Sequence, residues 1–200
     1  MKFPIAALLI LAPLSGARGQ GLYAGVRAGA GVPTGAFAED PTATGNAALL
    51  RGASPGLGYG LDAGFGAGLI GFYASYDDIR FGCRSEACAS SGKYELKGFA
   101  GGVRASVPLL PLIKPWAKAG ITYSSMTGSI GSGSSAVSVS TGKSPGYEVG
   151  AGVDIPILMG FASLTPQARL IRQRLNPNDA GKRDVNYYTF DIGFRVKTPL

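Results

Sequence analysis

Tyr187-Tyr188-Thr189-Phe190-Asp191-Ile192-Gly193-Phe194-Arg195-Val196 stands near the end of a 200-residue chain, and its two parities differ in kind. Tyr188, Phe190, Ile192, Phe194 and Val196 form one; Tyr187, Thr189, Asp191, Gly193 and Arg195 form the other. A period of two over ten residues is a β-strand with one apolar and one polar face. The polar face carries an acid and a base on either side of a glycine. That face suits a narrow interior, with the apolar side turned outward, provided that the other strands repeat the pattern.

Seven earlier segments do. Leu22–Val32 sets Leu22, Ala24, Val26, Ala28 and Ala30 against Tyr23, Gly25, Arg27 and Gly29, and Leu57–Ala67 sets Leu57, Tyr59, Leu61 and Phe65 against Gly58, Gly60, Asp62 and Gly64. Ile70–Phe81, Lys93–Val107, Pro115–Ser125, Gly146–Ile155 and Phe161–Ile171 complete a set of eight. Tyr73 and Ile79 blur the third, and Pro166 removes a ladder donor from the seventh. The first half of the fourth, Lys93–Lys97, is too charged for lipid and is expected to stand above it. Long connections alternate with short ones, and strand cores run about ten residues, the length that crosses a bilayer tilted. The Gly/Ser-rich stretch 127–144 reads as a flexible loop or as strand extension around Ala136–Ser140.

Aromatic residues band the strands. Tyr59, Tyr76, Tyr94, Tyr123, Tyr147, Tyr187 and Tyr188 fall next to the long connections, and Phe65, Phe72, Trp116, Phe161 and Phe194 near the opposite ends. Two aromatic girdles are expected of a membrane barrel. The 32 glycines have no collagen period and sit inside the alternations, where a small barrel has least room for side chains. Gly56–Gly60 and Gly64–Gly68 neither open a helix nor lie in a βαβ unit, so they are not phosphate loops.

The first nineteen residues read as a secretory signal peptide: Lys2, an apolar Ile5–Leu14 interrupted by Pro13, then Ala17-Arg18-Gly19 before Gln20. Cleavage after Ala17 is the alternative. No later apolar run approaches the roughly 18–20 residues of a membrane helix, so an exported chain either stays soluble or enters a membrane as a barrel. The formal charge is +7, and +5 without Lys2 and Arg18. Export directs that charge toward lipid phosphates or surface polyanions rather than nucleic acid. Cys83 and Cys88 are expected to form a local disulfide. The chain has no histidine, which excludes serine–histidine hydrolysis, and no metal or cofactor is expected.

Together these features resemble the small outer-membrane β-barrels of the OmpA/OmpX/OmpW-like superfamily. The resemblance covers Gly21–Val196 by pattern. It implies an all-β, eight-stranded, antiparallel, up-and-down transmembrane barrel over residues 20–200, with short periplasmic turns and longer extracellular loops, in a bacterial outer membrane. It also implies that Tyr188, Phe190, Gly193, Phe194 and Val196 form the signal read by the barrel-assembly machinery. The chain departs from the family's usual aromatic end by adding Lys197-Thr198-Pro199-Leu200.

The inward parities gather Arg27, Asp62, Arg104, Lys118, Glu148, Asp154, Arg169, Asp191 and Arg195. Lone buried charges are too costly, so these are expected to pair in a network that plugs the lumen; a gated ion or proton path is the alternative. Arg172, Arg174, Lys182 and Arg183 are candidate contacts for lipopolysaccharide phosphates. The expected function is non-enzymatic: a structural, adhesive or surface-binding barrel acting through its loops on an unidentified ligand. A narrow channel for small or hydrophobic molecules is the second reading, and a soluble exported ligand-binding barrel the third.

Overall fold

The computed structural model describes residues 21–39, 50–83, 92–107, 113–130, 137–157, 161–177 and 181–199. The expected signal peptide and Cys88 lie outside the described residues, and with Cys88 the expected disulfide; Cys83 ends a strand and packs against a buried apolar cluster.

Nine strands follow in order: β1 (Gly21–Thr34), β2 (Ala53–Ala67), β3 (Ile70–Cys83), β4 (Lys93–Ser106), β5 (Lys114–Ile130), β6 (Val137–Ser140), β7 (Ser144–Ile157), β8 (Ala162–Leu175) and β9 (Arg183–Pro199). All but β6 form an antiparallel, up-and-down ring, each paired with its neighbour in the chain, with β5 passing to β7. Pairing of β9 with β1, from Gly21↔Pro199 to Thr34↔Asn186, closes it. Closure gives every barrel strand two neighbours, the condition for strands to cross lipid. The short β6 pairs with the loop end of β5, Thr127↔Ser140 to Ile130↔Val137, so this part of the Gly/Ser-rich stretch is strand extension.

The barrel strands run 14 to 17 residues rather than about ten. At about 3.3 Å per residue and about 40° of tilt, 14 residues cover roughly 35 Å, more than an apolar band of about 25 Å. The excess carries the strands beyond the apolar zone. Between β2 and β3 the reversal needs only Gly68 and Leu69, and Gly68 sits at φ +68, where a glycine is unstrained. Pro166 lies between two strands after all. The β7–β8 ladder runs to Gly152↔Gln167 and resumes at Ile155↔Leu164, skipping the pairs beside the residue without an N–H.

The outward face is apolar all round. Val26, Leu61, Phe72, Phe99, Ile121 and Ile192 are each more than half exposed, Ile121 at 69%. A soluble monomer rarely presents so much contiguous apolar surface, whereas lipid solvates it. The girdles need one correction. Tyr59, Tyr123, Tyr147 and Tyr188 stand out at the loop end, and Phe72, Phe161 and Phe194 at the turn end. Trp116, Tyr94 and Tyr187 do not join them: all three are buried inside. Their parity decides it, since Trp116 is two residues from Lys118, Tyr94 two from Leu96 and Tyr187 two from Thr189, all inward.

Candidate functional site

The inner face changes chemistry along the barrel axis. At the loop end it is apolar. Ile79, Phe81, Tyr94, Leu96, Met126, Ile171, Leu175, Val185 and Tyr187 point inward, and Phe37 and Leu50 fold over them. Phe37 comes from a 3-10 turn directly after β1, and its ring meets Phe81 edge-on at 5.2 Å and Tyr94 at 5.8 Å. Phe81 in turn meets Tyr187 at 5.3 Å. Tyr94 donates to the Arg51 carbonyl at 3.1 Å. This end of the barrel is capped by a small hydrophobic core, which the inward parities alone do not suggest.

The middle tier is ionic. Arg169 is its centre, with its side chain 1% exposed. Nη1 and Nη2 donate to the two oxygens of Asp77 at 2.9 Å each, Nη1 also reaches Glu148 Oε2 at 3.3 Å, and Nε donates to Thr189 Oγ1 at 3.0 Å and Asp191 Oδ2 at 3.1 Å. Arg27 bridges Asp62 and Asp77, the latter at 2.8 Å. Glu148 Oε1 accepts from Lys118 Nζ at 2.9 Å and from the Tyr73 hydroxyl at 2.7 Å. Forked guanidiniums suit such a site because each addresses several carboxylates at once.

The turn-end tier is a cluster around Asp154. Arg104, Arg195 and Lys197 reach its carboxylate at 2.9, 2.8 and 3.0 Å. The Arg104 guanidinium lies 4.3 Å from the Trp116 ring centroid, and that of Arg195 lies 4.5 Å from Tyr23, within cation–π range.

The inward glycines make the room. A Cβ on Gly60 would stand 2.6 Å from the Arg27 guanidinium carbon, one on Gly150 2.9 Å from Arg169 Cγ, and one on Gly152 2.6 Å from the Trp116 ring. Gly120 and Gly64 would collide with Tyr73 and Tyr23 in the same way. Arg27, Arg169, Trp116 and Tyr23 each lie over a glycine on an adjacent strand, and Tyr73 of β3 reaches across β4 to one on β5, which is how an eight-stranded interior accommodates six cations.

Of the nine expected lumen charges eight are buried, Asp62 keeps its side chain 10% exposed, and ion pairs join all nine in these two tiers. Three participants were not among them: Asp77, Tyr73 and Lys197. Asp77 shares a parity with Tyr73, but the neighbouring Asp78 obscures which of the pair turns inward. Of the expected assembly residues, Tyr188, Phe190, Phe194 and Val196 lie on the outer face of β9 and Gly193 on the inner. Arg172, Arg174 and Lys182 are exposed at the loop end and Arg183 is half-buried. Arg174 pairs with Asp184 at 2.8 Å, while Arg172 and Lys182 have no ion pair among the described residues. Among those residues no group of three His, Cys, Asp or Glu side chains is arranged to hold a metal ion.

No family profile matches the sequence, and no curated protein does. Solved structures match along almost the whole barrel. Neisserial surface protein A is similar with a TM-score of 0.63 at 17% identity, covering 88% of this chain and 97% of that one. The fold is that of the small outer-membrane β-barrels. The outer-membrane protein OprG from Pseudomonas aeruginosa aligns with this barrel at a TM-score of 0.53 and 14% identity, covering 90% and 97% of the two chains. Ail, the attachment invasion locus protein of Yersinia pestis, aligns at 0.50 and 12%, covering 90% and 97%, and has also been solved in complex with the heparin analogue sucrose octasulfate.

Proposed function

We propose that this chain is a non-enzymatic barrel of the bacterial outer membrane with a structural, adhesive or surface-binding role, and that it works through its loop face rather than its lumen. The observation that carries the reading is the filled interior. An apolar cap and two ionic tiers occupy the lumen from end to end, so a solute would have to break buried ion pairs to pass. On this reading Tyr188, Phe190, Gly193, Phe194 and Val196 of the closing strand carry the assembly signal. Arg172, Arg174, Lys182 and Arg183 then stand at the outer rim, where lipopolysaccharide phosphates or other polyanions meet them. The structure of Ail in complex with the heparin analogue sucrose octasulfate supports a polyanion as the ligand class to test here.

Two measurements test this. In planar bilayers the refolded barrel is expected to give no discrete conductance. Steps that shift when Arg104 or Glu148 is neutralised would instead establish the channel reading. Cells displaying the barrel should retain a sulfated or phosphorylated polyanion, and replacing Arg172, Arg174, Lys182 and Arg183 together by glutamine should lower retention at least tenfold, since each cation near an anionic surface contributes about 1 kcal/mol. Equal retention by the fourfold variant removes these residues from the binding surface.

A further inference from the structure

The turn-end tier is unbalanced. Arg104, Arg195 and Lys197 share one carboxylate, Asp154, leaving a surplus of two positive charges. The middle tier has one acid in excess, which lowers the surplus of the whole interior to one but leaves that of the turn-end tier at two. In the middle tier Arg27, Lys118 and Arg169 face Asp62, Asp77, Glu148 and Asp191, and all four acids are engaged within the tier. Asp62, which stands across Gly25 from Arg195 in the sheet register, is held by Arg27.

The two guanidiniums are also close to one another. Both lie within 6 Å of the same two rings: Arg104 is 4.3 Å from Trp116 and 5.6 Å from Tyr23, and Arg195 is 5.9 Å and 4.5 Å from them. Their side chains are only 7% and 6% exposed. Two like charges held together out of water, with Lys197 beside them, call for more negative charge than the single Asp154 carboxylate they share. Three N–H donors have neither a hydrogen-bond acceptor nor an ion-pair partner among the described residues, Nε of Arg104, Nε of Arg195 and Nε1 of Trp116, while Nη2 of Arg104 meets Asp154 as an ion pair without hydrogen-bond geometry. Buried donors are nearly always matched, and an unmatched one costs about 1–3 kcal/mol. The three come from β4, β9 and β5 and meet at the Trp116 and Tyr23 rings, which both guanidiniums approach. Lys197, with its side chain 34% exposed, is the outermost of the three cations on Asp154.

We propose that this turn-end cluster is a phosphate-binding site, in which the oxyanion is held by Arg104, Arg195 and the Trp116 N–H, with Lys197 closing on it from the rim. A phosphate carries close to two negative charges near neutral pH and offers several acceptor oxygens, which fits a surplus of two charges and three idle donors. The phosphate can come from free inorganic phosphate, which approaches a dianion, or from a phospholipid headgroup at the inner rim, whose diester carries one negative charge but presents the same acceptor oxygens.

Trp116 is the only tryptophan in the chain, so its fluorescence reports on this site alone. The refolded barrel in neutral detergent is titrated with sodium phosphate and, at matched ionic strength, with sodium chloride. Phosphate is expected to change the Trp116 emission saturably and chloride is not. Lys197→Gln should weaken the phosphate response about tenfold, the loss of one charge-assisted bond, and Arg195→Gln should abolish saturation. Folding of each variant is checked by its mobility on unboiled gels; if Arg195→Gln does not refold, the rim residue Lys197 decides alone. In phosphatidylglycerol vesicles, emission that already equals the phosphate-saturated value, with no further response, assigns the site to headgroups. A titration that reproduces the detergent result assigns it to free phosphate. Identical, unsaturable responses to phosphate and chloride, or a titration unchanged in Lys197→Gln, would overturn the site.

Discussion

Replacing Arg169 by glutamine is expected to lower the unfolding free energy of the barrel by about 3–5 kcal/mol, the cost of removing one partner from a buried ionic cluster. Arg169 touches Asp77, Glu148 and Asp191, on β3, β7 and β9, and is itself on β8. Its loss leaves Asp77 to Arg27, Glu148 to Lys118 and Tyr73, and Asp191 to the neutral Thr189 and Gln167. Lysine in its place is a single point charge and cannot reproduce the fork to Asp77 together with the Nε contact to Asp191. Urea titration in lipid vesicles, followed by the folded and unfolded bands of unboiled samples, measures the loss. The double variant Arg169→Gln with Asp77→Asn restores the balance of charge and should recover a substantial part of it. A single variant with the parent's midpoint would show the tier to be dispensable for stability.

The order in which such features can be read from the sequence follows from the period-two pattern. Alternation determines which side of a strand a residue occupies, so the eight strands and nine inward charges are legible from Arg27 to Arg195. It says nothing of depth along the strand. Tyr94 and Tyr187 have inward parity near the loop end, but only the packing of Phe37 and Leu50 from the first loop shows that this end is an apolar cap. Trp116 illustrates the competing signal: its nearness to a strand end suggests a girdle, while its parity with Lys118 takes it inside, where Gly152 leaves space for the ring. Pairing is the other limit. Arg104 lies directly across from Lys118 in the β4–β5 register, a juxtaposition of like charges that no single strand reveals. Its guanidinium finds Asp154 instead, and that choice creates the cationic mouth.

The outward face yields the sharpest test of the medium around the barrel, because the sign of one substitution depends on it. Ile121 is 69% exposed near the middle of β5, between Gly101 of β4 and Tyr147 of β7. Around a soluble protein, Ile121→Arg would change stability by no more than about 0.5 kcal/mol, as surface substitutions usually do. In lipid the arginine must be carried into the apolar band just inside the tyrosine girdle, and the expected loss is about 1–3 kcal/mol, between the midplane and interface values. Thr127 lies six residues further along the same face, toward the loop end, where it pairs with Glu95 and is exposed. Thr127→Arg is therefore expected to cost only about 0–1 kcal/mol, the value near an interface. Refolding both variants and the parent into vesicles and comparing urea midpoints gives the depth dependence directly. A large loss at Ile121 beside a small one at Thr127 can arise only if the medium changes along the strand while the strand and its parity do not. Equal midpoints for all three would mean that water, not lipid, bathes this face, and the apolar belt would then need another partner to cover it.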